Sequence, residues 1–349
     1  MRAITVIPGS PGNERLEERP DPRPGDGELL VEMIELGVCG TDVEIVRGEY
    51  GTPPPGSDRL VLGHESLGLV REAPYGGEIA AGDLVAGIVR RPDPEPCECC
   101  ARGEFDMCRN GRYRERGIKE LDGYGAGLVA LEGDYAVKLD EDLVSVGVLT
   151  EPTSVVAKAW EQVDRIAAQV CRPVDRVLVT GAGPIGLLAA LIGVQRGHDV
   201  HLLDRTREGP KRELAKELGV AYHTGTVAGA CRGAEPDVLL ECTGAPELVL
   251  DAIQATAPAA ISCLIGISPR GRTLSVDVGA LADELVLEND VVMGSVNANH
   301  RHFLAAAEVL AQADRGWLER MITRRAPLDR WHEALERGPD DIKTTIRFG

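Results

Sequence analysis

The sequence predicts an α/β protein built as an antiparallel β-domain followed by a doubly wound parallel sheet, and three observations carry that expectation. Short apolar strands separated by Gly/Pro turns fill residues 1 to about 153. Alternating strand and helix patterns begin near Val155. A glycine-rich turn joins the first strand of that second stretch to its first helix. The length, 349 residues, suits two domains at about 150 residues each, and a chain of this size buries a large core without needing covalent or metal staples.

Taken in order, the expected strands of the first stretch are 3–7, 29–36, 66–72 and 84–89. Between them, Pro92 to Met107 is rich in Pro, Cys and charge and has no period, so that lobe needs something other than an apolar core to hold it; a metal ion would serve. An amphipathic helix over 155–168 opens the second stretch. Strand 176–180, helix 185–196, strand 200–204, helix 210–218, strand 238–242, helix 248–255 and strands 261–267 and 291–296 follow. A helix near 302–311 and a strand over 344–348 return to the first domain. The expected domains are therefore 1–153 with 298–349, and 154–297.

Composition narrows the partners. With 38 Lys+Arg against 56 Asp+Glu the formal net charge is −18, which repels phosphate backbones and anionic lipid. Neither nucleic acid nor a membrane is an expected partner. The apolar run 177–194 carries Pro184 and several glycines and reads as strand, turn and helix rather than a span. The N-terminal apolar stretch breaks at Pro8, short of a signal-peptide core. Nine cysteines, four of them crowded between Cys97 and Cys108, do not resemble a secreted disulfide framework, and a cytoplasmic location is expected.

Gly181-Ala182-Gly183-Pro184-Ile185-Gly186 fits the dinucleotide fingerprint, directly after the strand Val177-Leu178-Val179 and before an apolar helix. Gly181 permits the tight turn, Gly183 lets the backbone approach a pyrophosphate, and Gly186 lets helix and strand pack closely. Asp204 ends the second strand, where a carboxylate bonds the adenosine ribose and favours NAD over NADP. Arg205 and Arg207 follow at once and could clasp a 2′-phosphate, so NADP stays open beside the preferred NAD.

Two constellations point to zinc. Cys97, Cys100 and Cys108, spaced C-x2-C-x7-C, suit a tetrahedral structural ion, with Asp93 favoured over Cys99 as the fourth ligand because adjacent Cys99 and Cys100 have difficulty facing one ion. Cys39, His64 and Glu65 offer a thiolate, an imidazole and a carboxylate from separate loops, an open site of three protein ligands. Glu151, before Pro152 where the two stretches meet, could be a further ligand or simply a helix-start carboxylate.

These motifs together, Gly37-Val38-Cys39-Gly40-Thr41-Asp42, Gly63-His64-Glu65, the cysteine lobe and the fingerprint, resemble the zinc-dependent medium-chain alcohol dehydrogenase superfamily over essentially the whole chain. Arg90-Arg91-Pro92, Glu115-Arg116-Gly117-Ile118, Thr150-Glu151-Pro152, Gly294-Ser295-Val296-Asn297 and Ile342-Lys343 are similar to its glucose dehydrogenase branch. The resemblance implies a GroES-like catalytic domain and a Rossmann domain. It implies that zinc activates the C1 hydroxyl of an aldose, that hydride passes to NAD(P), and that a sugar lactone forms. It places Thr41 as the hydroxyl that takes the alcohol proton, Glu115, Glu151 and Asn297 at the sugar, and Thr243 and Asn297 among the cofactor contacts. It further implies homodimers or homotetramers. Departures from the family pattern are Asp93 in place of a cysteine, Glu44 in place of a relay histidine, and apolar Val89 and Leu287 at positions of polar sugar contacts. A polyol, another sugar or a secondary alcohol as substrate, or a nicotinamide-binding protein without dehydrogenase activity, are the competing readings.

Overall fold

The strand Glu28–Val38 organises the first half of the structure. Its residues alternate between buried and half-buried for most of its length and then become buried throughout, as a strand does when it leaves a sheet surface for a covered interior. It pairs antiparallel with Glu65–Glu72, with Leu128–Glu132 at its start and with Lys343–Arg347 at its end. Leu84–Gly87 and Ala136–Leu139 extend this seven-stranded sheet on one side and Ile322–Pro327 on the other. The structure is a computed structural model that describes residues 1–169, 173–268 and 271–349. These divide into two units, Met1–Ser154 with Asn297–Gly349, and Val155–Val296.

Register decides which side chains meet. Gly37 stands opposite Glu65, and Val38 opposite Thr344, so the C-terminal strand delivers Lys343 to the place where Glu65 emerges. Gly37 leaves the room: a Cβ there would lie 2.9 Å from Glu65 Cβ and 3.0 Å from Lys343 Cε.

The second unit is a six-stranded, wholly parallel sheet in the order Ala221–His223, Asp199–Leu203, Arg176–Thr180, Val238–Glu241, Ile261–Leu264, Val291–Gly294. Val177, Leu178, Val179, Val238, Leu239 and Leu240 have no exposed surface, because crossover helices cover both faces of such a sheet. The doubly wound expectation is met, including the first strand and helix on either side of the fingerprint.

Several elements differ from the sequence expectation. The helix expected from 155 runs Thr150–Ala167, taking in Thr150-Glu151-Pro152; proline is tolerated in a first turn whose N–H groups have no intrahelical partner, and Thr153 Oγ1 donates to Leu149 O at 2.7 Å. The sequence pattern does not mark the strand Ala221–His223 or the helices Val227–Ala234 and Val278–Glu288. The first is too short to show a period, the second contains interrupting glycines, and the third leaves Val278, Val286 and Leu287 exposed rather than forming a buried stripe. Among the described residues no helix is long and apolar enough to cross a membrane.

Candidate active site and metal centres

Cys39 closes the strand Glu28–Val38 and caps the helix Gly40–Val46. Its sulfur takes the place an oxygen usually has at an N-cap, accepting the Thr41 amide at 3.3 Å, while the Cys39 amide donates to Asp42 Oδ2 at 2.8 Å. His64 is buried, with Nε2 3.1 Å from Cys39 Sγ and Nδ1 3.5 Å from Asp42 Oδ1. Burial opposes the charged imidazole, but Cys39 and Asp42 beside it raise its pKa well above the ordinary value.

Donor atoms of Cys39, His64 and Glu65 all lie within 4.8 Å of one another. One soft sulfur, one imidazole nitrogen and one carboxylate oxygen at that spacing fit zinc with a position left for substrate. The Asp42 carboxylate, facing the far nitrogen of His64, is the partner a metal-ligating histidine characteristically has. Glu65 is itself paired with Lys343, whose Nζ also donates to Val38 O at 3.0 Å. Glu151 stands outside this triplet, in the first turn of its helix. Burial pushes its pKa up to about 7, with the Glu65 charge adding to the effect and the nearby His64 opposing it. Thr41 is half-buried two positions past the thiol.

In the cysteine lobe the sulfurs of Cys97, Cys100 and Cys108 likewise converge within 4.8 Å. Cys97 and Cys100 sulfurs are 3.7 Å apart, and the Arg109 amide donates to Cys97 at 3.3 Å. That amide and the amides of Cys100 and Cys99 pull the Cys97 thiol down to about 6. The expected fourth ligand does not join them. Asp93 is buried, but Oδ1 accepts the Glu95 amide at 2.9 Å, and Oδ2 accepts Asn110 Nδ2 at 2.8 Å and Arg112 Nε at 3.2 Å. Its charge is spent bracing the loop, and a carboxylate so satisfied gains little by turning to an ion. Cys99 also lies outside the cluster. The lobe offers three cysteine sulfurs, and burial pushes the Cys100 thiol up to about 11; deprotonated by a bound zinc, the three would hold it if a small external ligand completes the tetrahedron.

In the second unit the fingerprint has the form its glycines require. Gly181 adopts φ +90° just after Arg176–Thr180, and its amide donates to Leu203 O at 2.7 Å. A Cβ on Gly186 would collide with the Gly181 carbonyl. Gly183 caps the helix Pro184–Gln195, with Pro184 and Ile185 in its first turn. Asp204 accepts the Ala182 amide at 2.8 Å and the Thr206 amide at 2.7 Å, tying the glycine turn to the end of the second strand. Arg205 and Arg207 beside it are exposed. Thr243 lies above Glu241, a fully buried carboxylate accepting the Thr243 amide at 2.8 Å, the Gly244 amide at 3.0 Å and Thr180 Oγ1 at 3.2 Å.

Glu115 is buried in the first unit, and its Oε1 accepts Arg90 Nε at 3.0 Å, Arg90 Nη2 at 2.9 Å and Asn297 Nδ2 at 2.7 Å. The structure thus brings Glu115 and Asn297 together. Asn297 holds the left-handed conformation, φ 62°. Sequence reasoning gave no role to Asp42, Arg90, Lys343 or Glu241. Asp42, three positions after Cys39, and Glu241, a charge ending an otherwise apolar strand, each carry a readable signal.

Residues 144–348 match the family model described as "Glucose dehydrogenase C-terminus", and residues 25–141 match the alcohol dehydrogenase GroES-like domain. Curated relatives include the glucose 1-dehydrogenases of Methanocella arvoryzae, 39% identical with 100% of both chains covered, and of Thermoproteus tenax, 40% identical with 99% of each covered. Among solved structures, Haloferax mediterranei glucose dehydrogenase in complex with NADP, Zn and gluconolactone superposes with a TM-score of 0.92 at 33% identity, covering 100% of this chain and 99% of that one.

Proposed function

The chain belongs to the glucose dehydrogenase family of the zinc-dependent, GroES-like alcohol dehydrogenases, and from that premise we propose that it oxidises an aldose, glucose first, at C1 to the sugar lactone with NAD(P). The convergence of Cys39, His64 and Glu65 is the observation that carries the reading. When bound, zinc supplies Lewis acidity toward an alcohol oxygen and the nicotinamide supplies the hydride acceptor.

The chain's own residues do the rest. Cys39, His64 and Glu65 hold the ion, Asp42 orients the imidazole, and Lys343 balances the Glu65 charge. Thr41 would relay the proton of the C1 hydroxyl, accepting it as its own hydroxyl proton passes on toward the cofactor ribose and solvent, and the hydrogen on C1 would leave as hydride to the bound nicotinamide, so that the sugar loses two protons and two electrons in forming the lactone. Glu115 and Asn297 receive sugar hydroxyls and fix the ring, converting binding energy into orientation; Glu151 is a third contact, available for the ion as well. In the second unit the helix turn at Gly183 receives the pyrophosphate. Asp204 accepts from the adenosine ribose and makes NAD the preferred cofactor, with Arg205 and Arg207 admitting NADP.

Zinc content and initial rates on one preparation test this, with Cys39→Ala beside the wild type and NAD and NADP crossed against glucose and sorbitol. The variant is expected to lose about one zinc per chain together with glucose oxidation. Unchanged zinc in the variant removes the catalytic-ion assignment. Sorbitol outrunning glucose moves the substrate to the polyols, and cofactor binding without turnover leaves only a binding role.

The active form is a homo-oligomer. Val291–Gly294 is an edge strand of the parallel sheet with Val292 exposed, and Val278, Val286 and Leu287 are exposed on the helix before it. An apolar open edge is a template for a second copy. Light scattering is expected to give a dimer or tetramer, and Val292→Lys to dissociate it. Cytoplasmic residence accords with a thiolate ligand that must stay reduced.

A further inference from the structure

Arg90 is 6% exposed, and its guanidinium is committed on every side. Nε and Nη2 both donate to a single oxygen, Glu115 Oε1. Nη1 donates to the Asp106 carbonyl at 2.8 Å, in the Phe105–Met107 turn of the cysteine lobe. The guanidinium carbon lies 3.7 Å from the centre of the Tyr113 ring. With Asn297, three N–H donors converge on Glu115 Oε1, whereas Glu115 Oε2 receives no hydrogen bond among the described residues.

That asymmetry is unusual. A guanidinium matches a carboxylate best by sharing its donors between both oxygens. Here the fork is turned so that one oxygen takes everything. A buried ion pair is weak grounds for stability, and Glu115 Oε2, which is not among the buried unpartnered atoms, is open to solvent and so free to accept from a ligand hydroxyl.

We propose that Arg90 is a positioning residue for sugar recognition. It locks Glu115 through Oε1 so that Oε2 is presented to one substrate hydroxyl, and the bond to Asp106 fixes the angle of presentation. Lysine cannot replace it, since one ammonium on a flexible stem does not donate twice to Oε1 and once to the lobe carbonyl while its charge sits over the Tyr113 ring. The inference rests on the aldose reading above.

The test measures kcat and KM for glucose and for the series of monodeoxy glucoses on the wild type, Arg90→Met, Arg90→Lys and Glu115→Gln. The wild type is expected to prefer glucose over one deoxy sugar by about ten- to a hundred-fold in kcat/KM, the span of a hydrogen bond to a charged group. In Glu115→Gln and Arg90→Met that preference is expected to collapse toward unity, with the loss in KM exceeding the loss in kcat. Arg90→Lys should fall between, and it reads the same ratio should Arg90→Met fail to fold. If Arg90 only packs, rates on glucose and on the deoxy sugars fall by one common factor and the preference survives, which overturns the proposal. A wild type inert toward glucose instead removes the aldose reading, and this proposal with it.

Discussion

Lys343 and Glu65 form an ion pair in which neither side chain is more than 3% exposed. The last strand of the chain thereby reaches the residue that follows His64, and the same ammonium closes on Val38 O, one residue before Cys39. The carboxylate is thus held ready beside the thiol and imidazole, with its charge balanced before any ion arrives.

Breaking that pair from one side leaves a buried charge without a partner. Lys343→Met is expected to cost about 3–5 kcal/mol in urea unfolding, and Lys343→Met with Glu65→Gln to recover much of it. A single variant as stable as the wild type would show that Glu65 does not depend on the lysine.

Asp42 is 3% exposed and serves both the Cys39 amide and His64. Asp42→Asn keeps the shape but loses the charge facing Nδ1, and zinc affinity at this site should drop about 10- to 100-fold in chelator competition. Unaltered affinity would reduce Asp42 to a helix cap.

The lobe makes a contrasting prediction. Cys100→Ser is expected to release the lobe ion, whereas Asp93→Asn should leave metal stoichiometry unchanged and lower stability by about 1–3 kcal/mol through its lost loop bonds. Loss of one ion per chain in Asp93→Asn would restore the carboxylate as a ligand.

Glu132 supplies the acid dependence. Burial opposes its charge, but Arg91 and Arg116, at 2.8 and 3.0 Å from Oε2, hold its pKa down to about 2 against an ordinary 4.5. The folded value lies below the unfolded one, so this stabilisation is complete above the unfolded pKa and is lost as pH falls from 4.5 through about 2. The gap in urea midpoint between wild type and Glu132→Gln should therefore be widest near neutrality and narrow steadily in acid. A gap independent of pH would assign the effect to packing.

Much was legible along the chain because the forces that write it are local. The fingerprint sits between its strand and helix since a tight turn needs Gly181 and close packing needs Gly186. Cys97 and Cys100 meet because three residues of chain bring them round one turn. Glu151 stands at the junction the sequence marks, in the first turn of its helix, because proline is tolerated there, where the backbone amides have no intrahelical partner.

What the sequence by itself determined, then, is the two-part α/β plan, the dinucleotide turn and the identities of the thiolate, imidazole and carboxylate, all encoded in periods and motifs a few residues long. What only the tertiary structure decided is which charged groups stand behind them. Lys343 reaches Glu65, Arg90 turns one oxygen of Glu115 inward, and Asp93 is drawn to Asn110 and Arg112 instead of the sulfurs. Those outcomes follow from strand register and from competition among hydrogen-bond partners. Opposing Gly37 with Glu65 and Val38 with Thr344 is settled by which sheet faces can be buried together, a property of the assembled fold rather than of any stretch of chain.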